Sequence, residues 1–418
     1  MWWRDEVSPF LELMFALFII IAGAKAGAWL ASRLRQPAVV GELLVGLLLG
    51  PSVLNMLGWS ILANPHDPHL LGETVSHLAE LGVVCLMFLA GLEIELPELL
   101  RTGRVATFAG VSGVIVPLAL GALAALPFGY TGATPLYIGV VLTATSVSIS
   151  AQTLLELGKL RSREGLALLG AAVVDDVLVI LLLSVLVAIA SGSGGVGAIL
   201  LIVLRMVVYL AAAGAIGYLV LPRLARWSVR QPVSQGLAAL VLVTVFLFAW
   251  SAEVVGGLAA ITGAFVAGLG FGRSPLREEI ARALHTITYA LLVPIFFVSI
   301  GLQTNVRLLA GREVLLAVVL ALVAILSKVL GCGLGARLGG FSNRESLRVG
   351  IGMISRGEVG LIVASVGVGA GLIEARLFSV VAFIVLVTTL VTPLLLRLAF
   401  RGEGASHAER DRLRDAEH

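Results

Sequence analysis

The chain has 418 residues, of which 59% are hydrophobic and only 13% are charged, and its mean hydropathy is +1.04. This composition excludes an ordinary soluble protein, in which about 25% of residues are charged. The sequence pI near 9.1 reflects arginines in short polar connections, a pattern of membrane topology rather than of a nucleic-acid surface. We therefore predict a polytopic helical membrane protein with no nucleic-acid partner.

Thirteen apolar stretches are long enough to cross about 30 Å of hydrocarbon at a rise of about 1.5 Å per residue. They cover residues 10–32, 37–57, 76–98, 104–126, 135–157, 164–190, 197–222, 234–252, 255–272, 283–303, 313–336, 346–370 and 376–398. A signal peptide is the alternative for the first stretch. Because Arg4 is outweighed there by Asp5 and Glu6, whereas a signal peptide begins with positive charge, we predict a first helix.

The placement of arginine and lysine predicts the orientation of these spans, since cytoplasmic loops collect basic residues. Alternate connections are basic, at residues 33–35, 101–104, 159–163, 223–230, 273–282 and 337–348. The connections between them are nearly bare of basic residues. The N-terminus is therefore expected outside and the C-terminus in the cytoplasm, with the protein in a bacterial or archaeal inner membrane.

An internal repeat relates the two halves of the chain. Gly41, Gly46 and Gly50 in the second span recur as Gly263, Gly268 and Gly272 in the ninth, at a constant offset of 222 residues. Segment 88–93 near the end of the third span also resembles segment 297–303 near the end of the tenth. Equivalent spans lie seven apart, an odd number, so the second copy enters the membrane in the opposite direction. The predicted fold is all-α, with two inverted six-helix repeats joined by a linker helix, as in many secondary transporters.

Polar residues in the middle of two spans predict broken helices. The fifth span contains Thr143, Thr145 and Ser146, which are poor helix formers whose hydroxyl groups bond back to the backbone. The twelfth span, its repeat mate, contains Ser355, Arg356 and Glu358. Helix packing through small hydroxylated residues is the alternative for the first group. Arg356 and Glu358 are expected to neutralise each other and the helix ends of the break rather than to contact substrate. We favour a shared site at the centre of the membrane, where transporters place their ion sites between broken helices.

Asp175 and Asp176 are the strongest functional signal, because an ionised carboxylate at the bilayer centre costs roughly 3 kcal/mol on insertion scales. Lys328 lies midway along another span. Adjacent residues on a helix project about 100° apart, so one carboxylate can pair with Lys328 while the other faces a cavity; spacing alone leaves open which one. The same divergence argues against an intramembrane aspartyl protease, whose carboxylates converge. A purely structural salt bridge remains an alternative. A carboxylate that holds either a proton or a small cation makes the two compete, and competition with alternating access is antiport.

Several segments resemble one known family. Gly41-Glu-Leu-Leu-Val-Gly, Ala144-Thr-Ser-Val, Gly170-Ala-Ala-Val-Val-Asp-Asp, Ser327-Lys-Val-Leu-Gly and Arg356-Gly-Glu-Val-Gly-Leu-Ile are similar to segments of the NapA-type sodium/proton antiporters, in the monovalent cation/proton antiporter superfamily. The resemblance covers about residues 13–398. It implies that Asp176 carries the ion and is the ligand of transported Na⁺, and that Asp175 forms a salt bridge with Lys328.

The resemblance further implies electrogenic exchange by an elevator movement in a homodimer. The scaffold, which includes the dimer contact, would comprise residues 10–98 and 234–303; the moving core would comprise residues 104–190 and 313–398; residues 197–222 would form the linker and 401–418 a cytoplasmic tail. The expected partners are monovalent cations, protons and the lipid bilayer, with no cofactor and no enzymatic activity.

The KefC-like potassium efflux group is the nearest alternative, because it is similar in its membrane part. Its members usually carry Gln-Asp where this chain has Asp175-Asp176, and a nucleotide-binding domain behind the membrane part, for which the tail has no matching motif. The expected function is therefore exchange of Na⁺ or Li⁺ for H⁺, with K⁺/H⁺ exchange as the alternative. A channel and a non-transporting sensor are further alternatives, and the broken helices argue against the channel.

Overall fold

A computed structural model describes residues 8–401, apart from 35, 60, 63–69, 95, 192–195, 233, 306, 308, 310 and 370. Within these ranges every regular element is a helix. The first half contains α1 (Pro9–Arg33), α2 (Ala38–Leu49), α3 (Leu70–Glu93), α4 (Leu96–Arg101), α5 (Gly103–Ala125), α6 (Thr134–Thr143), α7 (Val147–Glu156) and α8 (Arg163–Ser191). Then follow α9 (Val196–Leu219), α10 (Leu221–Ser228), α11 (Gly236–Ser251), α12 (Ala260–Phe271), α13 (Arg277–Ile287), α14 (Val293–Leu302), α15 (Arg312–Leu338), α16 (Asn343–Gly352), α17 (Glu358–Gly369) and α18 (Ala375–Ala399). The tail beyond residue 401 lies outside the described residues.

Ten helices in the described part of the chain are long and apolar enough to cross a membrane. Three shorter apolar helices accompany them, at Ala38–Leu49, Ala260–Phe271 and Val359–Val368. The prediction of an all-helical polytopic membrane protein is therefore confirmed.

Several helix bounds differ from the predicted spans for local reasons. The second span was expected to run to residue 57, but α2 ends at Leu49, because a residue before proline avoids the α region and Gly50 precedes Pro51. The ninth span was expected from residue 255, but α12 begins at Ala260 after a π-helical turn that ends at a left-handed Gly257 (φ 67°). The third span was expected over 76–98, whereas α3 begins at Leu70 and ends at Glu93. Its apolar part continues into a polar first turn, and Pro97 belongs to the start of α4, where the N–H that proline lacks would have no partner within the helix.

The recurring glycines mark two equivalent helix contacts. A side chain at Gly46 would lie 2.5 Å from the carbonyl oxygen of Val298, so α2 packs directly on α14. A side chain at Gly268 would lie 2.2 Å from the carbonyl oxygen of Phe88, so α12 packs in the same way on α3. The second helix of each predicted repeat thus contacts the third helix of the other.

Helix α5 lies between α8 and α15 and holds both of them at close range. A side chain at Gly110 would lie 2.8 Å from Val174 of α8, and one at Gly335 of α15 would lie 2.2 Å from the carbonyl oxygen of Phe108. Ser112 also donates a hydrogen bond to the carbonyl oxygen of Gly331 (2.7 Å). This close packing brings the aspartates of α8 and the lysine of α15 to the same region.

Candidate ion-binding site

The two broken helices meet at their breaks, where α6 passes into α7 and α16 into α17. The backbone N–H of Ser146 donates to the carbonyl oxygen of Ser355 (2.9 Å), and the Ser355 hydroxyl donates to the carbonyl oxygen of Ser146 (2.6 Å). Ser150 extends this contact by donating to the carbonyl oxygen of Gly352 (2.5 Å). The breaks therefore satisfy part of each other's backbone, as buried polar groups in a membrane require.

Arg356 lies at this crossing and is almost completely buried, with 1% of its surface exposed. Its guanidinium donates to the carbonyl oxygens of Leu142 and Ile354, at 2.6 Å each. Leu142 lies in the last turn of α6 and Ile354 just beyond the end of α16. Because the C-terminal end of a helix carries about half a negative charge, one arginine compensates both half-helix ends. The expected partner, Glu358, begins α17, but its side chain lies outside the described residues.

Three further hydroxyl groups that the sequence singled out bond within their own segment. Thr143 Oγ1 donates to the carbonyl oxygen of Val140 (2.6 Å), and Thr145 Oγ1 donates to that of Thr143 (3.3 Å). The hydroxyls of Ser146 and Ser148 share a hydrogen bond (2.9 Å). Thr143 and Thr145 thus bond to backbone carbonyl groups at the break.

Asp175 and Lys328 form a salt bridge with an Nζ–Oδ1 distance of 2.6 Å, and neither side chain is exposed. The second carboxylate oxygen of Asp175 has no hydrogen-bond partner among the described residues. A small residue on α5 leaves the space for this pair, since a side chain at Gly113 would meet Cys332 Sγ at 2.3 Å and Lys328 Nζ at 3.7 Å. Both charges are thus fully buried in the region where α5, α8 and α15 pack together.

Asp176 is turned toward a different neighbour, the short helix α12. Thr262 Oγ1 donates to Asp176 Oδ2 at 3.3 Å, and both residues are buried. A cavity of about 10 Å³ lies beside this contact, lined also by Val147 and Phe265. That space is about what one water molecule needs, and its polar walls are a carboxylate and a hydroxyl, which suit a small hard cation.

A larger cavity of about 530 Å³ lies between α1, α2, α7 and α18. On its wall Glu156 Oε2 accepts a hydrogen bond from the backbone N–H of Ala38 (2.7 Å), at the start of α2. Lys25 pairs with Glu42 in the same cavity (Nζ–Oε1 3.3 Å). Glu156 thereby connects the first broken helix to α2.

Sequence reasoning missed three threonines around the site. Thr262 is a single hydroxyl in an apolar helix and carried no signal. Thr388 Oγ1 accepts a hydrogen bond from the backbone N–H of Arg356 (3.2 Å), and Thr389 Oγ1 donates to the Arg356 carbonyl oxygen (2.6 Å). Two adjacent threonines in the middle of an apolar span were a usable signal, of the same kind as the run in the fifth span.

Comparison with known proteins covers nearly the whole chain. The family model described as sodium/hydrogen exchanger, transmembrane, matches residues 15–402. The chain is 37% identical over 389 residues to the Na⁺/H⁺-K⁺ antiporter GerN of Bacillus cereus, covering 93% of this chain and 96% of that one. It is 34% identical over 388 residues to a Na⁺/H⁺ antiporter of Enterococcus hirae, covering 93% and 98%.

A solved structure is similar in fold. The sodium proton antiporter MjNhaP1 from Methanocaldococcus jannaschii at pH 8 superposes with a TM-score of 0.68, covering 95% of this chain and 100% of that one. Sequence identity in this pair is 18%, so the likeness concerns the fold alone.

Proposed function

This chain belongs to the sodium/hydrogen exchanger family, and we propose that Asp176 is the carboxylate at which Na⁺ and H⁺ compete. The protein is a secondary transporter that exchanges Na⁺ for H⁺ across a membrane, and it is not an enzyme. The observation that carries the proposed site is the contrast between the two aspartates. Asp175 is held by a buried ammonium, whereas Asp176 lies at a small cavity beside a hydroxyl.

The two carboxylates have different tasks in this proposal. Asp175 and Lys328 compensate each other's charge and fix the middle of α8 against α15. Asp176 accepts either a dehydrated Na⁺ or a proton, because both neutralise its charge in the membrane interior. Since the Asp176 carboxylate cannot hold both ions at once, movement of Na⁺ in one direction is coupled to movement of H⁺ in the other. Na⁺ and H⁺ are transported substrates in this scheme, and no resident cofactor is needed.

The proposal also covers the topology, the dimer and the moving core that were expected from the sequence. We propose thirteen membrane crossings, with the N-terminus outside, the C-terminus in the cytoplasm, and the protein in a bacterial or archaeal inner membrane. Residues 10–98 and 234–303 form the scaffold of a homodimer, and residues 104–190 and 313–398 form a core that moves in an elevator-like way. The exchange of glycine contacts between α2–α14 and α12–α3 supports a single compact scaffold built from both repeats.

The direct test uses purified protein in proteoliposomes with an imposed pH gradient and a pH-sensitive dye, to which Na⁺, Li⁺ and K⁺ are added in turn. Na⁺ is expected to collapse the gradient with intact protein, and Asp176→Asn is expected to lose this activity at least 100-fold while its melting temperature stays near that of the wild type. Glu253→Gln is the matched control, because Glu253 is an exposed acidic residue that does not line the cavity beside Asp176. Full activity of Asp176→Asn, or no cation response of the intact protein, would refute the proposal.

Potassium is included because the relative GerN is a Na⁺/H⁺-K⁺ antiporter. A response to K⁺ with none to Na⁺ would favour the K⁺/H⁺ alternative. Varying the membrane potential tests electrogenic exchange, since each net charge moved corresponds to about 2.3 kcal/mol per 100 mV.

A further inference from the structure

The contact between Thr262 and Asp176 joins two parts of the protein that the proposed mechanism moves relative to each other. Asp176 lies on α8 in the proposed core, and Thr262 lies on α12 in the proposed scaffold. The Oγ1–Oδ2 distance is 3.3 Å, and the two residues are 3% and 7% exposed. A polar contact at this depth is informative, because the rest of the cavity wall is formed by apolar side chains such as Ile261 and Phe265.

The packing of α12 fixes the direction in which Thr262 points. The next residue, Gly263, lies against α11 so closely that a side chain there would be 2.1 Å from the carbonyl oxygen of Phe248. Five residues further on, Gly268 lies directly against α3. Because successive side chains on a helix project about 100° apart, these two backbone contacts orient the helix and leave Thr262 facing α8. The hydroxyl is therefore held in place by the scaffold.

A threonine hydroxyl offers one donor and two acceptor positions. It donates to the Asp176 carboxylate in the present arrangement, and by rotating it can instead present its oxygen to a cation held by that carboxylate. We propose that Thr262 is a Na⁺ ligand contributed by the scaffold, so that the ion site is complete only when α12 faces Asp176. This inference rests on the proposed function of Asp176.

Only one of the two predicted repeats has a hydroxyl group at this position. The offset of 222 residues pairs Thr262 with Val40, an aliphatic residue on α2. A hydrogen bond or ion contact fails when its atoms separate by much more than about 3.2 Å, so a core displacement of a few ångströms removes the hydroxyl from the site. The affinity for Na⁺ must then differ between the two open states of the transporter.

The position of the cavity indicates which state has the complete site. Its lining residues on α8, Leu169, Ala172 and Val173, all precede Asp176. Under the proposed orientation they lie between Asp176 and the cytoplasmic end of α8. Thr262 therefore strengthens Na⁺ binding from the cytoplasm and not from outside.

The test measures KM for Na⁺ on each side separately, in inside-out and right-side-out membrane vesicles. Thr262→Val keeps the shape of the side chain and removes the hydroxyl. We expect it to raise the cytoplasmic KM about 5- to 30-fold, the loss corresponding to one hydrogen bond or ion contact of a hydroxyl, and to leave the external KM within about twofold. Thr262→Ser is expected to restore the cytoplasmic KM. Thr244→Val is the control, since Thr244 is equally buried in the scaffold but bonds to its own helix at Leu240.

Three outcomes overturn the inference. These are an unchanged cytoplasmic KM in Thr262→Val, an equal increase on both sides, and a fall in kcat alone, which indicates a structural role. If Thr262→Val is not recovered from membranes while Thr244→Val is, Thr262→Cys takes its place with the same expectations, because a thiol fills similar space but is a poor ligand for Na⁺. If the wild-type protein shows no Na⁺-driven proton movement, the proposed function itself is refuted. If the wild type exchanges normally and Thr262→Val has an unchanged cytoplasmic KM for Na⁺, only the role of Thr262 is refuted.

Discussion

Removing Lys328 without its partner should destabilise the protein strongly. Lys328→Met keeps the length of the side chain and deletes the charge from a pair that is fully buried and 2.6 Å apart. Breaking a buried ion pair on one side typically costs about 3–5 kcal/mol, because the remaining charge is left uncompensated. We expect the upper part of that range here, about 4–5 kcal/mol, since the second oxygen of Asp175 already has no hydrogen bond among the described residues.

The double variant Asp175→Asn/Lys328→Met separates this cause from a general packing defect. It removes both charges, so no uncompensated ion remains, and it should cost less than the single lysine variant, about 1–2 kcal/mol. Arg163→Gln is the matched control, because it breaks an ion pair of similar length with Glu345 (3.1 Å) on an exposed surface. Such surface pairs contribute about 0–1 kcal/mol.

The assay is thermal unfolding of each purified variant in detergent, followed by tryptophan fluorescence. The expected order of melting temperatures is wild type, closely followed by Arg163→Gln, then the double variant, then Lys328→Met. If Lys328→Met melts with Arg163→Gln, the buried pair does not stabilise the fold as argued. If the double variant melts below the single one, uncompensated charge is not the cause.

Substitutions at three further residues test other contacts. Arg356→Met should lower stability by more than about 3 kcal/mol, because it leaves buried carbonyl oxygens at two half-helix ends without their donor, and Arg356→Lys should recover only part of the loss in the same melting assay. Glu156→Ala should cost about 1 kcal/mol, since Glu156 accepts from Ala38 N–H at the start of α2, and melting curves should show it. Partial burial opposes ionisation of Glu345, but hydrogen bonds with Ser342 prevail and lower its pKa below 4.5. Its stabilising contribution is therefore present above pH 4.5 and lost as the pH falls below it, so wild type and Glu345→Gln should differ in melting at pH 7 and converge near pH 3.

The sequence was sufficient for features that depend on composition and periodicity. Apolar length identified the membrane class, and the recurring glycines from which the repeat was predicted include Gly46 and Gly268, which lie at close helix contacts. The contact of Asp175 with Lys328 was expected only through the resemblance to a family, because helix geometry distinguishes the directions of two adjacent aspartates but not their partners. The roles of these residues in transport stay predictions.

Other contacts depended on tertiary placement that local patterns do not encode. Arg356 was expected to neutralise Glu358 and the helix ends of the break, but the sequence did not indicate which helix ends. Its guanidinium donates to carbonyl oxygens, including one of α6 that is more than 200 positions away in sequence. Thr262 meets Asp176 only because glycine contacts press α12 against α11 and α3. In both cases the partner is reached through helix packing, which a single sequence does not specify.

The crossing of the two broken helices contributes different residues to the site from its two sides. Ser146 and Ser355 exchange hydrogen bonds at the crossing, and they are followed by Val147 and Arg356. Arg356 compensates the C-terminal ends of both half-helices. Val147 instead lines the cavity beside Asp176. Because the positive charge of Arg356 is not repeated at position 147, the polar groups that line the cavity are the Asp176 carboxylate and the Thr262 hydroxyl. A small cation and a proton can both bind to such a pair.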